Sequence, residues 1–130
     1  MRREFPSTVA DELRRLRATA SYDWQSKMVT VNDILTIRVV VSRCRPLGDA
    51  HGWLLRLSSL GKPDLTIIGR LAPGNSDFLD YFLLKPQDMH GLNQVTLRPG
   101  KDSEFDKYRY DDLSFLRKVI RLATARRTDQ

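Results

Sequence analysis

The stretch from residue 62 to residue 89, KPDLTIIGRLAPGNSDFLDYFLLKPQDM, constrains the fold more than any other part of the chain. It contains two apolar runs, 65–68 and 78–84, joined by the turn sequence Pro73-Gly74-Asn75. Runs of β-branched and aromatic residues closed by Gly, Pro and Asn predict a strand, a turn and a second strand. The second run ends at Pro86, which has no N–H to offer a neighbouring strand. The sequence therefore predicts a β-hairpin at the centre of one sheet.

The length and composition indicate one domain, residues 1–130, of an ordinary soluble protein. Hydrophobic residues make up 41% and charged residues 29% of the chain, and no apolar run approaches the roughly 20 residues of a membrane span. The N-terminal residues lack the apolar core of a signal peptide, and there is a single cysteine. We therefore expect a cytoplasmic protein that makes no membrane contact.

The remaining pattern predicts one helix at each end of the chain and strands between them. The first helix is predicted over residues 7–20, capped by Ser7 or Thr8, and the last is capped by Asp111 or Asp112. Alternation and β-branched residues predict strands at 28–31, 34–43, 53–60, 65–70, 78–84 and 94–97, with a loop at 46–52. The fold class is therefore α+β, with a mainly antiparallel or mixed central sheet of about five to seven strands and the N-terminal and C-terminal helices packed on it.

The charge balance points to an anionic partner, and we expect DNA. Lysine and arginine outnumber acidic residues by 22 to 16, which gives a net charge of +6. The candidate phosphate contacts are Arg14, Arg17, Arg43, Arg117, Lys118, Arg121, Arg126 and Arg127. A structural interpretation stays open, because cations stabilise the C-terminal end of a helix and a charged helix face is often only solvated.

Cys44 and His51 have reactive side chains, but their sequence context indicates packing and solvation and not catalysis. Cys44 lies between Arg43 and Arg45, which would lower a thiol pKa, but no histidine and orienting group accompany it in the sequence. His51 falls in the predicted loop, and the sequence has no Cys/His spacing typical of a metal site. We expect a packed cysteine and a solvent-exposed histidine.

Five segments between residues 33 and 116 resemble the second half of PD-(D/E)xK endonuclease-like domains of the Holliday-junction-resolvase and intron-endonuclease type. In that family a strand with the (D/E)xK signature leads to GWxFRL-like, DYxxLxP and LRL strands, and then to an aromatic, basic segment before the last helix. The matching segments here are TIRVVVSR at 36–43, GWLLRL at 52–57, LDYFLLKP at 79–86, VTLR at 95–98 and YRYDDLSFL at 108–116. The resemblance implies a nuclease-like fold that contacts DNA.

The acid and the lysine of the family's catalytic motif are missing at the matching position. The chain has Val41-Ser42-Arg43 or Val40-Val41-Ser42 there, and an arginine stays protonated and cannot act as a base. The resemblance therefore implies a degenerate centre with no catalytic residue and no cofactor. The alternative is a Mg²⁺-dependent endonuclease, because such enzymes hold the metal between two or three carboxylates near a lysine. Its residues would be Asp33, Asp64, Asp80 and Lys62, although Pro63-Asp64 also suits a turn for backbone reasons alone.

The same half of the chain resembles uncharacterised domains associated with recombinases and plasmid-borne proteins of proteobacteria, which carry a PDxTxxxRxxxxNxxxLDYxLLP pattern. It matches here at 63–70, Asn75 and 79–86. This second resemblance implies DNA metabolism of a mobile element. The leading hypothesis is thus a non-catalytic DNA-binding or recombination-accessory domain, with a homodimer or a recombinase-type protein as a further partner. A nuclease and a protein-interaction module that forms a homodimer are the alternatives.

Overall fold

The computed structural model describes residues 5–23, 25–26, 28–47, 50–57, 63–74, 77–89, 94–98 and 104–128. Within these ranges the helices and strands are α1 Phe5–Arg15, β1 Ala20–Asp23, β2 Met28–Val31, β3 Leu35–Ser42, β4 Cys44–Leu47, β5 Ala50–Arg56, β6 Leu65–Leu71, β7 Phe78–Leu84, β8 Gln94–Leu97, β9 Arg109–Tyr110 and α2 Leu116–Thr128. Short 3₁₀ turns occupy Pro86–Met89, Glu104–Tyr108 and Leu113–Phe115. The predicted α+β class, with a mixed sheet and a helix from each end of the chain, is confirmed.

Helix α1 begins earlier than the sequence predicts, so Ser7 and Thr8 lie inside it and not at its cap. Pro6 suits a first helical turn, where its missing N–H has no partner to lose. Phe5 is 3% exposed and packs against Phe78, with the ring centroids 4.6 Å apart. Burial of this aromatic ring therefore accounts for the additional residues at the start of the helix.

The same helix ends five residues before the predicted boundary, at a left-handed residue. Arg17 has a φ of 71°, its N–H donates to the carbonyl of Arg14 at 2.9 Å, and the N–H of Ala18 donates to the carbonyl of Leu13 at 3.0 Å. These two bonds form a Schellman motif, in which Leu13 and Ala18 are both buried. Glycine usually occupies the left-handed position, so an arginine there gave no sign of a helix end.

The predicted hairpin lies inside a six-stranded sheet with the order β1-β2-β3-β6-β7-β9. β3 and β6 are parallel, whereas the other neighbouring strands are antiparallel. Ile67 and Ile68 point to opposite faces of β6 and are 0% and 1% exposed. A strand that is buried on both faces is typical of a parallel pair covered by other layers.

Strand β3 is central in the six-stranded sheet, but one of its side chains is not where strand alternation places it. Ile37 and Val39 are buried as expected, whereas Val41 is 40% exposed. The core beneath this strand extends no further than Val39. The turn before β3 uses Asn32 and Asp33, with φ values of 52° and 59°, which matches the left-handed geometry of a tight hairpin turn.

The predicted loop at 46–52 is wrong, because most of it belongs to a second sheet with the order β4-β5-β8. β4 pairs with β5, and Pro46 lies opposite His51. A proline is tolerated in β4 because this is an edge strand, where the missing N–H has no second neighbour to bond. The predicted strand at 53–60 accordingly begins earlier, at Ala50, and ends at Arg56.

Two apolar cores separate three layers. The first core lies between the six-stranded sheet and the two helices and includes Val9, Leu13, Ile37, Leu116 and Val119. The second lies between the other face of that sheet and the three-stranded sheet and includes Trp53, Leu55, Leu57, Ile68 and Phe82. Each such side chain contributes roughly 1.5–3 kcal/mol when it is fully buried.

Asp112, one of the two predicted caps, caps the 3₁₀ turn Leu113–Phe115 that leads directly into α2. The backbone N–H of Ser114 donates to Asp112 Oδ1 at 2.9 Å. Hydrogen bonding by the Ser114 side chain, and then by this N–H, holds the pKa of the Asp112 carboxyl below its ordinary value. On the apolar face of α2, Leu116 and Ala123 are fully buried, and Ile120 is half-buried. Neither α1 nor α2 is long and apolar enough to span a membrane.

Candidate nucleic-acid interface

The predicted cations of α1 divide between an ion pair and an open position. Arg14 Nη1 lies 3.0 Å from Asp11 Oδ1, and its Nε donates to the carbonyl of Ala20 at 3.0 Å. Arg15 forms a similar bond to Glu12, also three residues earlier. Residues at this spacing are neighbours on a helix surface. Arg17 is exposed at the left-handed position after the helix.

Two of the five predicted cations of α2, Lys118 and Arg126, have partners inside the protein. Lys118 Nζ donates to Tyr110 Oη at 3.0 Å, and Arg126 Nη1 lies 2.5 Å from Asp64 Oδ1. Arg117 and Arg121 are exposed. The side chain of Arg127 lies outside the described residues.

Arg117 lines a cleft of about 370 Å³ between α1 and the start of α2. The charged residues around this cleft are of both signs: Glu12, Arg15, Asp111, Asp112 and Arg117. Three of the five are acidic and would repel a phosphate. This part of the helix layer is therefore a poor surface for a polyanion.

Asp64 connects the beginnings of the two parallel strands and the end of α2. Its Oδ2 accepts hydrogen bonds from the backbone N–H and the hydroxyl of Thr36, at 2.8 and 3.0 Å, while its Oδ1 faces Arg126. Burial by itself raises the pKa of Asp64, but the bonds from Thr36 and Arg126 outweigh it and hold the pKa below its ordinary value. Both carboxylate oxygens thus have a structural role.

Asp80 is the most deeply buried carboxylate of the nuclease alternative, at 1% exposed. Arg70 makes a two-pronged contact with it, from Nε to Oδ1 at 2.8 Å and from Nη2 to Oδ2 at 2.5 Å. Arg109 Nη1 lies 3.5 Å from Oδ2, and the Arg70 guanidinium stacks over Trp53 at 4.5 Å. The cluster joins β6, β7 and β9 to the three-stranded sheet.

The structure does not bring the three aspartates of the nuclease alternative together. Asp64 precedes β6, and Asp80 pairs with Arg70 near the other end of that strand. Six residues of strand separate the two positions by about 20 Å. Asp33 is exposed in the turn before β3, at the same end of the sheet as Asp64, and Lys62 lies outside the described residues. No group of three potential metal ligands occurs in the part of the chain that the structure describes.

The three-stranded sheet carries a different kind of charge. Its strands, CRPL, AHGWLLR and QVTL, contain no acidic residue, and Asp49, which lies between the first two in the sequence, is outside the described residues. Cys44 and Leu97 both pair with Trp53 and share its inward face. Arg45, the next residue of β4, therefore points outward, and Arg43 and Arg98, which directly precede β4 and follow β8, are exposed as Arg45 is. We call these three the sheet-face arginines.

The sheet-face arginines have no carboxylate partner among the described residues. Only Arg43 is among the sequence-predicted contacts; Arg45 and Arg98 were missed. Their signal was present in the strand alternation around Trp53, since a residue next to an inward position points outward. The loop predicted for residues 46–52 hides this signal at Arg45, and the predicted strand end at Leu97 hides it at Arg98.

A groove of about 170 Å³ opens where β3 approaches β5. Arg38 and Arg45 line it together with Val40, Val41 and Leu54. Small-molecule pockets usually measure roughly 300–1,000 Å³, so the groove suits a segment of chain more than a compact ligand.

Cys44 and His51 have the environments that the sequence predicts, a packed cysteine and an exposed histidine. Cys44 is half-buried against the second core, and His51 is exposed on β5. Neither contributes to a cluster of reactive groups within the described residues.

Comparison with known proteins supports the nuclease-like fold at the level of structure. No protein-family model and no curated protein matches the sequence. The structure is similar to that of a bacterial homing endonuclease, I-Ssp6803I, with a TM-score of 0.52 over 95% of this chain and 94% of that one. The two sequences are 8% identical, so the likeness concerns the fold alone. The PD-(D/E)xK resemblance, the homodimer and the recombinase-type partner stay predictions.

Proposed function

We propose that this protein is a DNA-binding, recombination-accessory domain that uses a nuclease-like fold without cutting its DNA. The observation that carries the proposal is the contrast between engaged carboxylates and available arginines. Asp64 and Asp80 contact protein donors and cations through both oxygens, whereas the sheet-face arginines have no carboxylate partner among the described residues.

The engaged carboxylates argue against metal catalysis on electrostatic grounds. A Mg²⁺ ion needs oxygen ligands that are free to face it and is repelled by a neighbouring cation. Arg126 lies against Asp64, and both Arg70 and Arg109 lie against Asp80. Metal binding would require these ion pairs to break, and for the buried Asp80 it would leave Arg70 without its partner.

The available arginines and the net charge of +6 support binding to a polyanion. DNA is the polyanion that the likeness to a homing endonuclease favours. Neutralised phosphates release counterions, so the affinity for DNA must fall steeply as salt is added.

A salt series of fluorescence anisotropy tests the proposal, with labelled duplex, single-stranded and four-way-junction DNA, each with and without Mg²⁺. We expect binding that weakens as the salt concentration rises and DNA that stays intact. No binding to any of the three DNAs would contradict DNA binding, and an affinity that is independent of salt would contradict binding through phosphate contacts.

The Mg²⁺-dependent endonuclease is the second candidate, and the fold likeness favours it. Its test is plasmid nicking with Mg²⁺ and with Mn²⁺, repeated in EDTA and with Asp64→Ala. Nicking that is lost in both controls would replace the accessory function with catalysis by Asp33, Asp64, Asp80 and Lys62. Our proposal predicts that the plasmid stays supercoiled.

A further inference from the structure

We propose that the DNA backbone is bound by the outward face of the three-stranded sheet and the groove beside it, and not by the two helices. The inference rests on the proposed function and assigns it a surface. The sheet-face arginines Arg43, Arg45 and Arg98 would contact phosphates, and Arg38 would contribute from the wall of the groove.

The two surfaces differ in whether acidic side chains face their arginines. The described residues of β4, β5 and β8 include no acid, so none of them cancels the field of the sheet-face arginines. On the helix side, Arg14, Arg15 and Arg126 each face a carboxylate. Two oppositely charged groups in contact present little net field to a phosphate several ångströms away.

The sheet-face arginines lie on or directly beside both outer strands. Arg45 pairs with Gly52 on the central strand, and Arg98 directly follows Leu97, the partner of Trp53. Two strand spacings separate their backbones by about 10 Å. The major groove of B-DNA is roughly 12 Å wide, so two long side chains that diverge from this spacing can reach the phosphates on its two sides.

The polar character of the exposed side chains favours a nucleic acid over a protein partner. Gln94 and Thr96 are exposed on β8, and no large aromatic side chain is exposed among the described residues of this sheet. Protein interfaces usually have an apolar or aromatic centre, whereas DNA interfaces are polar and strongly positive.

Two triple variants of equal charge test this assignment by DNA affinity. The sheet variant carries Arg43→Ala, Arg45→Ala and Arg98→Ala. The helix variant carries Arg117→Ala, Lys118→Ala and Arg121→Ala. Each lowers the net charge from +6 to +3 and replaces only exposed side chains. A difference between the two therefore reports position and not total charge.

We expect the sheet variant to lose DNA affinity. Each phosphate contact contributes about 0.9 to the slope of log K against log salt, so three lost contacts should reduce the slope by about 2.7. Affinity at about 0.1 M salt should fall on the order of 10- to 100-fold. The helix variant should change the slope by less than about 0.9, the contribution of one phosphate contact. A third variant with lysine at the three sheet positions should keep the wild-type slope.

The outcomes distinguish this inference from the proposed function beneath it. If the wild-type protein binds and the helix variant loses as much affinity as the sheet variant, the surface is wrong but DNA binding stands. If the wild-type protein does not bind DNA at all, the function and its surface both fail. Circular dichroism of the lysine variant, which retains the charge, shows whether substitution at these positions disturbs folding.

Discussion

The six-stranded sheet with its two helices and the three-stranded sheet use their cations differently. In the first region five of the described arginines face a carboxylate, as Arg14 faces Asp11 and Arg70 faces Asp80. In the second, Arg43, Arg45 and Arg98 are exposed, and the described residues offer them no acid. Five arginines of the first region are thus neutralised by neighbouring acids, whereas those of the second are not neutralised by any described residue.

The difference follows from the geometry of helices and strands. On a helix, residues three or four apart are neighbours, so a sequence such as DELRR supplies its arginines with partners locally. On a strand, adjacent side chains point to opposite faces, and a partner must come from another strand. Arg70 finds one in Asp80 on β7, whereas β4, β5 and β8 have no acid to offer.

The largest effect on stability is expected for the buried ion pair between Arg70 and Asp80 in the first region. Asp80→Ala leaves the Arg70 guanidinium, whose side chain is 12% exposed, without its carboxylate. An uncompensated buried charge costs about 3–5 kcal/mol, so the urea-unfolding midpoint should fall sharply. The control is Arg109→Ala, which removes a more exposed contact and should cost less than about 1 kcal/mol. Equal losses in the two variants would show that the buried pair does not dominate.

A smaller effect is expected at Asp64, and it depends on pH. Asp64→Asn removes the charge that faces Arg126 and should cost about 1 kcal/mol at pH 7, measured by denaturant unfolding. The folded pKa lies below the unfolded value of about 3.9, so the carboxylate stabilises the fold above that pH and this contribution is lost as the pH falls through the folded pKa. The stability difference between wild type and variant should therefore shrink below about pH 4. A difference that grows on acidification would contradict the sign of the shift.

Arg17 separates a backbone effect from a charge effect. Arg17→Gly relieves the left-handed backbone at the end of α1 and should stabilise the protein by about 0.5–1 kcal/mol. Arg17→Ala removes the same charge without that relief and should not be stabilising. Thermal unfolding of both variants measures the difference, and equal melting temperatures would argue against a strained helix end.

The smallest effect on stability is expected for the sheet-face arginines. Arg45→Ala and Arg98→Ala remove exposed side chains that contact no described carboxylate, so each should change the free energy of unfolding by less than about 0.5 kcal/mol. Denaturant titration provides the measurement. A cost above about 1 kcal/mol for either variant would assign that arginine a structural role and remove it from the proposed interface.

The sequence predicts the fold best where local patterns decide the structure. β7 and β8 have the predicted bounds, because a run of apolar or alternating residues ends at a proline or a loop. The parallel pairing of β3 and β6 joins residues that are distant in sequence, and no local signal specifies it. β4 was missed because Pro46 disfavours a strand, although an edge position permits it.

The site is less predictable than the fold because pairing decides which charges are available. The sequence identifies Arg14 and Arg126 as cations, but the carboxylate opposite Arg126 comes from a residue 62 positions earlier in the chain. Likewise, Asp64 and Asp80 flank the same short segment of the sequence, but in the structure the length of β6 separates them. Spacing on a helix can be read from the sequence, whereas strand register requires the fold.

Backbone amide chemical shifts, followed by NMR during titration with a short DNA duplex, test the central claim most directly. The account predicts that the largest shift changes map to β4, β5 and β8 and to Arg38 and Val40 on β3, and that these changes diminish when salt is added. Shift changes concentrated on α2, around Arg117 and Arg121, would contradict it and return the interface to the helices.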